Sequence, residues 1–560
     1  MRSWIARHPL FCFCLASAAW LAILYAAVLN APFVYDDIDQ IANNPALQSW
    51  HAVYAQFILA PVSFTSGFLG SGGTLYRPLF WISLALDQHL WGAEAGGFHF
   101  TSLLLHWFNG LLLFQLLRRL KLPLYVSGFA TLVWLGLPIN TEVVAWISGR
   151  PYLLSTAFLL LALHAALSYA RSKHWLPLAA FITCALLADF SHEQGLLLVA
   201  LLGLAYLANP SSPGAREDSR PWIVLATLSV LADALFLLGK FAVGAHGGDG
   251  SHTLWSVGLK FWRYVQLIAL PIHMSMERSS VAPSNTPSLA ALLAWAALIG
   301  LVLTALSLRN RAPVVAAGLA TLLIGLLPYC GFVYIYQGMA ERYDYLASIG
   351  FVLTLVGGLL LVPQFQRRIL LGCLGIWIAW GVWRTIVRVQ DWEHPLALYL
   401  HSLEATPRSA FLQKNLGDIY AAQGDPRQAV AAYTLSLALS PNDPKTLLND
   451  AAALQQTGNP SQAEAQYRHV IELRPHDSAA YVDLESLDIE QHRFDDAIAM
   501  YKQAIAVNPN DANAYFDLAV MFQQLGQTPE AMAFYKKVLQ LKPGDPQTLS
   551  YMSKLQGPAQ

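Results

Sequence analysis

Three carboxylates, Asp36, Asp37 and Asp39, stand in the segment FVYDDIDQIANNP, just after an apolar run from Leu10 to Leu29. A carboxylate at the mouth of a membrane segment can take a proton from an attacking hydroxyl, hold a cation, or simply remain solvated. Similar groups recur in other short polar segments between apolar runs. These are Arg77, then Glu142 and Arg150 in NTEVVAWISGR, Asp189 and Glu193 in DFSHEQG, and Glu341 and Arg342 in GMAERYDYL. Ionisable groups at such places are costly unless they are paired or used, so their convergence would mark a site.

The elements that must position them are membrane helices. The chain has 560 residues, is 55% hydrophobic and 12% charged, and has a mean hydropathy of +0.42, too apolar for an ordinary soluble protein. Leu10 to Leu29 is long enough to cross a hydrocarbon core of about 30 Å, and no clean small-residue cleavage site follows it, so it reads as an uncleaved anchor. Further apolar runs lie near residues 98–117, 124–139, 152–170, 175–190, 195–207, 222–243, 288–308, 312–332, 346–362 and 369–383. Lys and Arg near span ends collect on the cytoplasmic side. Thirteen fall in one set of alternating connections and eight in the other, provided Pro78 to Trp91 and Trp255 to Ile272 lie along the outer interface. The expectation is eleven crossings, N-terminus inside and C-terminus outside, with the polar segments on the non-cytoplasmic face.

Other classes are disfavoured. From Val389 onward there are 12 Lys and Arg against 20 Asp and Glu, which argues against nucleic acid and anionic lipid as partners of that region. Cys12, Cys14, Cys184, Cys330 and Cys373 all lie in apolar runs without a C-x-x-C pair. No phosphate-binding glycine loop or H-E-x-x-H motif occurs, so a nucleotide sugar is a poor direct donor.

The last third repeats every 34 residues. Pro407, Pro441, Pro475, Pro509 and Pro543 form one series; Ala429, Ala463, Ala497 and Ala531 another; Tyr433, Tyr467, Tyr501 and Tyr535 a third. This is the tetratricopeptide pattern of helix pairs, with four repeats expected over residues 410–545. A linker and half-repeat helix at 389–409 would join them to a membrane domain of 1–388, and 546–560 would be a tail. The sixth residue of successive repeats is Asn415, Asn449, Asp483 and Asp517, on the helix that lines the groove, where amides can pair with an extended chain. The alternative is that Asn415 and Asn449 only bond neighbouring repeats.

In order along the chain, FVYDDIDQIANNP, YRPLFWISLALDQHLWG with FHFTSLLLHWFN, NTEVVAWISGR, ERYDYLASIGF and VQDWEHPLALY resemble the transmembrane and tetratricopeptide-repeat O-mannosyltransferase family of the GT-C superfamily, with a bacterial relative the nearest description. Asp344 stands where an apolar residue is expected and Ala347 where a proline is common. The resemblance implies an all-α fold, a polytopic helix bundle followed by an α-solenoid of repeats. It implies an inverting transfer of a mannose-like sugar from a polyprenyl-phosphate donor to a protein hydroxyl, with Asp36 or Asp37 as base. Arg77, Arg150 and Arg342 would meet the donor phosphate, and Glu142, Glu341, His99 and Glu193 would support them. A divalent cation held by Asp36 and Asp37 would be compatible, and no other cofactor is implied. The repeats would recruit the acceptor through Asn415, Asn449, Asp483 and Asp517, in the periplasm of an inner-membrane protein or in the endoplasmic reticulum lumen. Two other readings are a non-catalytic scaffold displaying repeats and a lipid-linked glycan ligase.

Among the remaining polar residues, His106 and Asn109 read as bonds between helices. Lys240 reads as a side chain snorkelling outward from an apolar run.

Overall fold

The computed structural model describes residues 8–55, 62–63, 74–208, 218–242, 254–278, 286–331, 339–474, 480, 483–484, 487 and 494–556. The fold is all-α apart from a two-residue antiparallel strand pair, Val62–Ser63 with Thr74–Leu75. Two compact units divide the chain. One holds the described residues up to Arg408, the other those from Ser409 on.

In the first unit, eight helical stretches are long and apolar enough to cross a membrane: Pro9–Asn30, Ala95–Arg119, Ile147–Ser172, Arg220–Ala242, Leu289–Leu308, Pro313–Cys330, Glu341–Leu361 and Gln364–Glu393. They make this an integral membrane protein. The other three of the eleven apolar runs are different in kind. Leu124–Leu135 and Pro138–Ala145 form a pair bent by 55°, broken where Pro138 can neither donate a backbone bond nor let Leu137 stay helical. Trp175–Ser191 and Glu193–Leu207 are short apolar helices. Among the described residues, then, length and composition alone qualify eight helices as spans, or nine if the bent pair is one span, where eleven crossings were expected. The segments expected along the interface are helices of 14 and 16 residues, Pro78–Trp91 and Leu254–Ala269.

Small residues set how closely these helices approach. Helix Pro313–Leu326 carries Gly318 and Gly325, helix Asp344–Leu361 carries Gly350 and Gly357, and each spacing of seven keeps both glycines on one face. A Cβ at Gly350 would sit 2.3 Å from the Leu322 nitrogen, and one at Gly318 2.5 Å from that of Thr354. Only backbone fits there. Elsewhere, His106 bonds the Tyr345 hydroxyl at 2.7 Å and Asn109 the Leu153 carbonyl at 3.0 Å, the interhelical role expected of both.

The last long helix, Gln364–Glu393, ends at His394, and helix Pro395–Ala405 follows where a linker and half-repeat helix were expected; both belong to the membrane unit. In the repeat unit, helices Ala410–Ala422 and Pro426–Leu439 pair, then Pro444–Gln456 and Pro460–Leu473, then Ala512–Gln524 and Thr528–Leu541. Of the third repeat, Phe494–Val507 is described. Ala429, Ala463 and Ala531 and the tyrosines Tyr433, Tyr467 and Tyr535 are buried between helices, as the period requires. A Cβ on Gly417 would strike the Tyr433 ring at 2.4 Å, which explains the glycine. The stretch expected to be a tail instead folds as helix Pro546–Gln556, with Tyr551 against Phe516 at 5.4 Å, so it caps the last repeat.

Candidate active site

The segment after the first helix turns sharply. Tyr35 takes a left-handed backbone, φ 54°, which is costly for a non-glycine residue and persists only where its surroundings impose it. Its ring lies against Trp146 at 6.0 Å. This turn sends the next two acids different ways. Asp37 is fully buried, and its Oδ1 accepts from the Ser148 backbone nitrogen at 2.9 Å and the Ser148 hydroxyl at 2.6 Å. Asp36 stays partly exposed and lies within electrostatic reach of Arg342. Burial, then the neighbouring Asp37 charge, pushes the Asp36 carboxyl up to about 7, with Arg342 opposing. Burial also lifts Asp37, to about 6, against the Ser148 hydrogen bonds. Asp39 is exposed.

Arg342 is the centre of the arrangement. Its Nη1 donates to Glu142 Oε1 at 2.5 Å, and its backbone nitrogen to Glu142 Oε2 at 3.2 Å. The guanidinium lies over Trp146 at 4.9 Å and over Tyr343 at 5.1 Å. Tyr343 stacks on Tyr329 at 4.6 Å and approaches Tyr152 at 6.1 Å. Beyond these rings stands Arg77, whose Nε and Nη2 both donate to Glu193 Oε2, at 3.1 and 2.9 Å. Lys240 reaches the other Glu193 oxygen at 3.0 Å, so it does not snorkel outward but completes the cluster. Both Arg77 and Arg342 act electrostatically on Tyr152 and Tyr343. Two guanidiniums therefore flank an aromatic wall, with a carboxylate at one end.

Three expected site residues have other company. Arg150 is fully buried, 2.6 Å from Asp87, and also bonds Ser102 Oγ and the Phe98 carbonyl. A guanidinium enclosed in this way is unavailable to a phosphate, and it ties three helices together. Glu341 points away from Arg342: its Oε1 accepts from Arg278 at 2.7 Å and from the Ser275 nitrogen at 2.5 Å, with Arg388 4.0 Å from Oε2. His99, also fully buried, bonds the Ala31 carbonyl at 3.1 Å and anchors the chain as it leaves the first helix. Among the described residues, no group of three or more His, Cys, Asp or Glu side chains is placed to hold a metal ion.

In the repeats, Asn415 donates to the Phe411 carbonyl of its own helix at 2.7 Å, and Asn449 to Asp418 of the preceding repeat at 2.7 Å. Each amide thus makes one bond within the solenoid, and Asn449 is half-buried. Asp483 and Asp517 are half-buried. Sequence reading passed over Ser148, Asp87, Tyr152, Tyr329 and Tyr343. The signal for Asp87 was present, a lone acid in an apolar helix; the tyrosines carried none.

Comparison with known proteins follows the same two units. Tetratricopeptide repeat family models match residues 420–487 and 487–546. Protein O-mannosyl-transferase F38B6.6 of Caenorhabditis elegans is 24% identical over 442 residues, 75% of this chain and 61% of that protein. Human protein O-mannosyl-transferase TMTC4 is 23% identical over 73% of this chain and 64% of its own length. Drosophila melanogaster Tmtc1 reaches 33% identity over 214 residues, 37% of this chain and 24% of that protein. The chain spans less than two thirds of the length of these curated relatives. Among solved structures, MamA aligns at 22% identity with 27% of this chain and 90% of its own, at a TM-score of 0.26. With tetratricopeptide repeats in its last third, the chain is similar over about three quarters of its length to proteins named protein O-mannosyl-transferases.

Proposed function

We propose that the protein is an integral membrane glycosyltransferase that moves a mannose-like sugar from a polyprenyl-phosphate donor to a hydroxyl of a protein acceptor. The reaction takes place on the non-cytoplasmic face, in the periplasm if the membrane is a bacterial inner membrane, and the repeats recruit the acceptor. One observation carries the reading: Asp36, partly exposed, shares its space with Arg342, whose guanidinium rests on the aromatic wall leading to Arg77. The base and Arg342 thus sit at one end of a surface suited to a sugar ring, with Arg77 at the other.

Asp36 is assigned as the base because it alone of the pair is accessible; Asp37 is the tether that holds the loop on Ser148. In the step, the acceptor hydroxyl gives its proton to Asp36 as its oxygen bonds the anomeric carbon. The bond from that carbon to the phosphate oxygen breaks, and the lipid phosphate leaves with the electron pair, inverting the centre. Arg342 and Arg77 bind the phosphate oxygens and stabilise the charge that grows on the leaving group. The indole N–H of Trp146, buried and without a partner, would donate to the same ligand.

The test is to give the purified protein a polyprenyl-phosphate mannose and a Ser/Thr-containing peptide, and to follow hexose transfer by mass. Transfer should occur, and Asp36→Asn should lower it by about 10²-fold or more in a folded protein. Undiminished transfer by that variant would remove Asp36 from the mechanism.

A further inference from the structure

The second repeat breaks the repeat pattern at two positions that meet. Its seventh residue is Asp450, where the other repeats have Leu416, Leu484 and Leu518; its twenty-third is Gln466, where they have Ala432, Met500 and Phe534. The three leucines are core residues, and Asp450 occupies the equivalent place at 3% exposure. A carboxylate in a leucine site is expensive unless its oxygens are satisfied. Gln466 Nε2 donates to Asp450 Oδ2 at 3.1 Å, but Oδ1, buried, has no partner.

These two residues also line an open cavity of about 610 Å3 between helices Pro426–Leu439, Pro444–Gln456 and Pro460–Leu473, together with Val430, Leu454, His469 and Glu472. Its nearby cation is occupied, since Arg468 is bonded to Glu464 at 2.9 and 3.0 Å. His469 bonds Asn442 at 3.0 Å and lies 3.5 Å from Glu472.

We infer that this cavity receives a cationic side chain, lysine or arginine, from a protein partner, with Asp450 Oδ1 as its counter-charge. The unmatched group is an acceptor and negative, so a donor with positive charge completes it. Val430 and Leu454 supply apolar wall for an aliphatic stem, and Glu472 adds a second acid at the rim. The volume admits a short stretch of chain around that side chain. The region from Val389 onward carries eight more acids than bases, which draws a basic segment toward it. Burial has pushed the Asp450 carboxyl up to about 6, the response of an acid whose charge lacks a partner. The inference deepens the acceptor-recruiting role of the repeats and rests on that reading only in making the partner a protein.

The test measures binding of fluorescent, end-blocked peptides to the full-length protein, with no transfer required: one peptide alternates Lys and Gly, the other Glu and Gly. The basic peptide should bind and the acidic one should not. Asp450→Leu, which restores the residue of the other repeats, should weaken the basic peptide about tenfold or more and raise the melting temperature. Asp450→Asn, which keeps the shape and the Gln466 contact, should weaken it as well and covers the case in which the leucine variant misfolds. Glu530→Gln, an exposed acid in another repeat, should change affinity less than twofold. Unchanged binding in a folded Asp450 variant, equal losses with Glu530→Gln, or tighter binding of the acidic peptide would each overturn the assignment. Loss of transfer with binding intact would count against the catalytic reading alone.

Discussion

The membrane unit and the repeat unit hide their informative residues in opposite ways. In the membrane unit the background is apolar, so almost every charge is an exception, and each one that matters is held by another: Arg342 by Glu142, Arg77 by Glu193 and Lys240, Arg150 by Asp87. In the repeat unit polar residues are ordinary. Asn415 and Asn449 look like a peptide ladder by sequence, yet each donates a bond within the solenoid, to Phe411 and Asp418. There the informative residue is Asp450, which breaks the period rather than following it. Contrast with the local rule, and not polarity itself, marks the positions to test.

The comparison is broken most sharply by the two arginines that sequence reading treated alike. Arg150 is enclosed with Asp87, so Arg150→Gln leaves a buried acid without its counter-charge and should destabilise the protein by about 3–5 kcal/mol. Thermal unfolding in detergent would show this as a large drop or as failure to fold. A variant that melts like the parent but loses transfer would return Arg150 to the donor site.

A smaller but more diagnostic effect follows from Asp36. Its carboxyl is raised to about 7, so it is protonated and unable to act as a base below that pH. Transfer should fall about tenfold for each pH unit below about 7 and level off above it. Stability runs the other way, because a carboxyl whose folded pKa lies above the ordinary value near 4 favours the folded state most when protonated. The melting temperature should therefore decline as pH rises from about 4 through 7, and Asp36→Asn should remove part of that slope. An activity profile flat from pH 5 to 8 would exclude Asp36 as the titrating base.

Arg77 sharpens the contrast with Arg150. It is partly exposed, and its partner Glu193 keeps Lys240 when Arg77 is lost. Arg77→Gln should fold normally and lower kcat/KM for the lipid donor roughly tenfold, the loss expected when a charged phosphate contact is removed. A destabilisation equal to that of Arg150→Gln would make Arg77 structural too.

How far the sequence carried these assignments depends on what kind of signal each residue leaves. The apolar runs marked helices because hydrophobic length is written in composition, and the 34-residue period marked the repeats because the same interface is built each time. Sequence also brought Asp36, Arg77, Glu142, Glu193 and Arg342 to one neighbourhood. It could not divide Asp36 from Asp37, since that depends on the left-handed backbone at Tyr35, which nothing in FVYDDID announces. Nor could it foresee that Glu341 and Arg342, adjacent in sequence, would point to different partners, because a 3-10 turn sends neighbouring side chains apart. The 55° bend at Pro138 and the shortness of helices Trp175–Ser191 and Glu193–Leu207 were equally unannounced, because their composition is that of spans.

The smallest effect belongs to the amides of the repeats. Asn415 bonds the backbone of its own helix, and Asn449 bonds Asp418, which also accepts from Tyr433 at 2.8 Å and from Lys414 at 2.7 Å. Replacing both by Ala removes two largely covered hydrogen bonds, each worth about 1 kcal/mol, so the repeat unit should melt a few degrees lower. Asp418 keeps two donors, so no buried charge is stranded and the unit stays folded. If the amides serve only the solenoid, KM for a protein acceptor will be unchanged in the double variant, whereas Asp450→Leu will raise it. A raised KM in the amide variant, with the melting temperature unmoved, would instead place the acceptor on the first helices of the repeats and away from the cavity at Asp450.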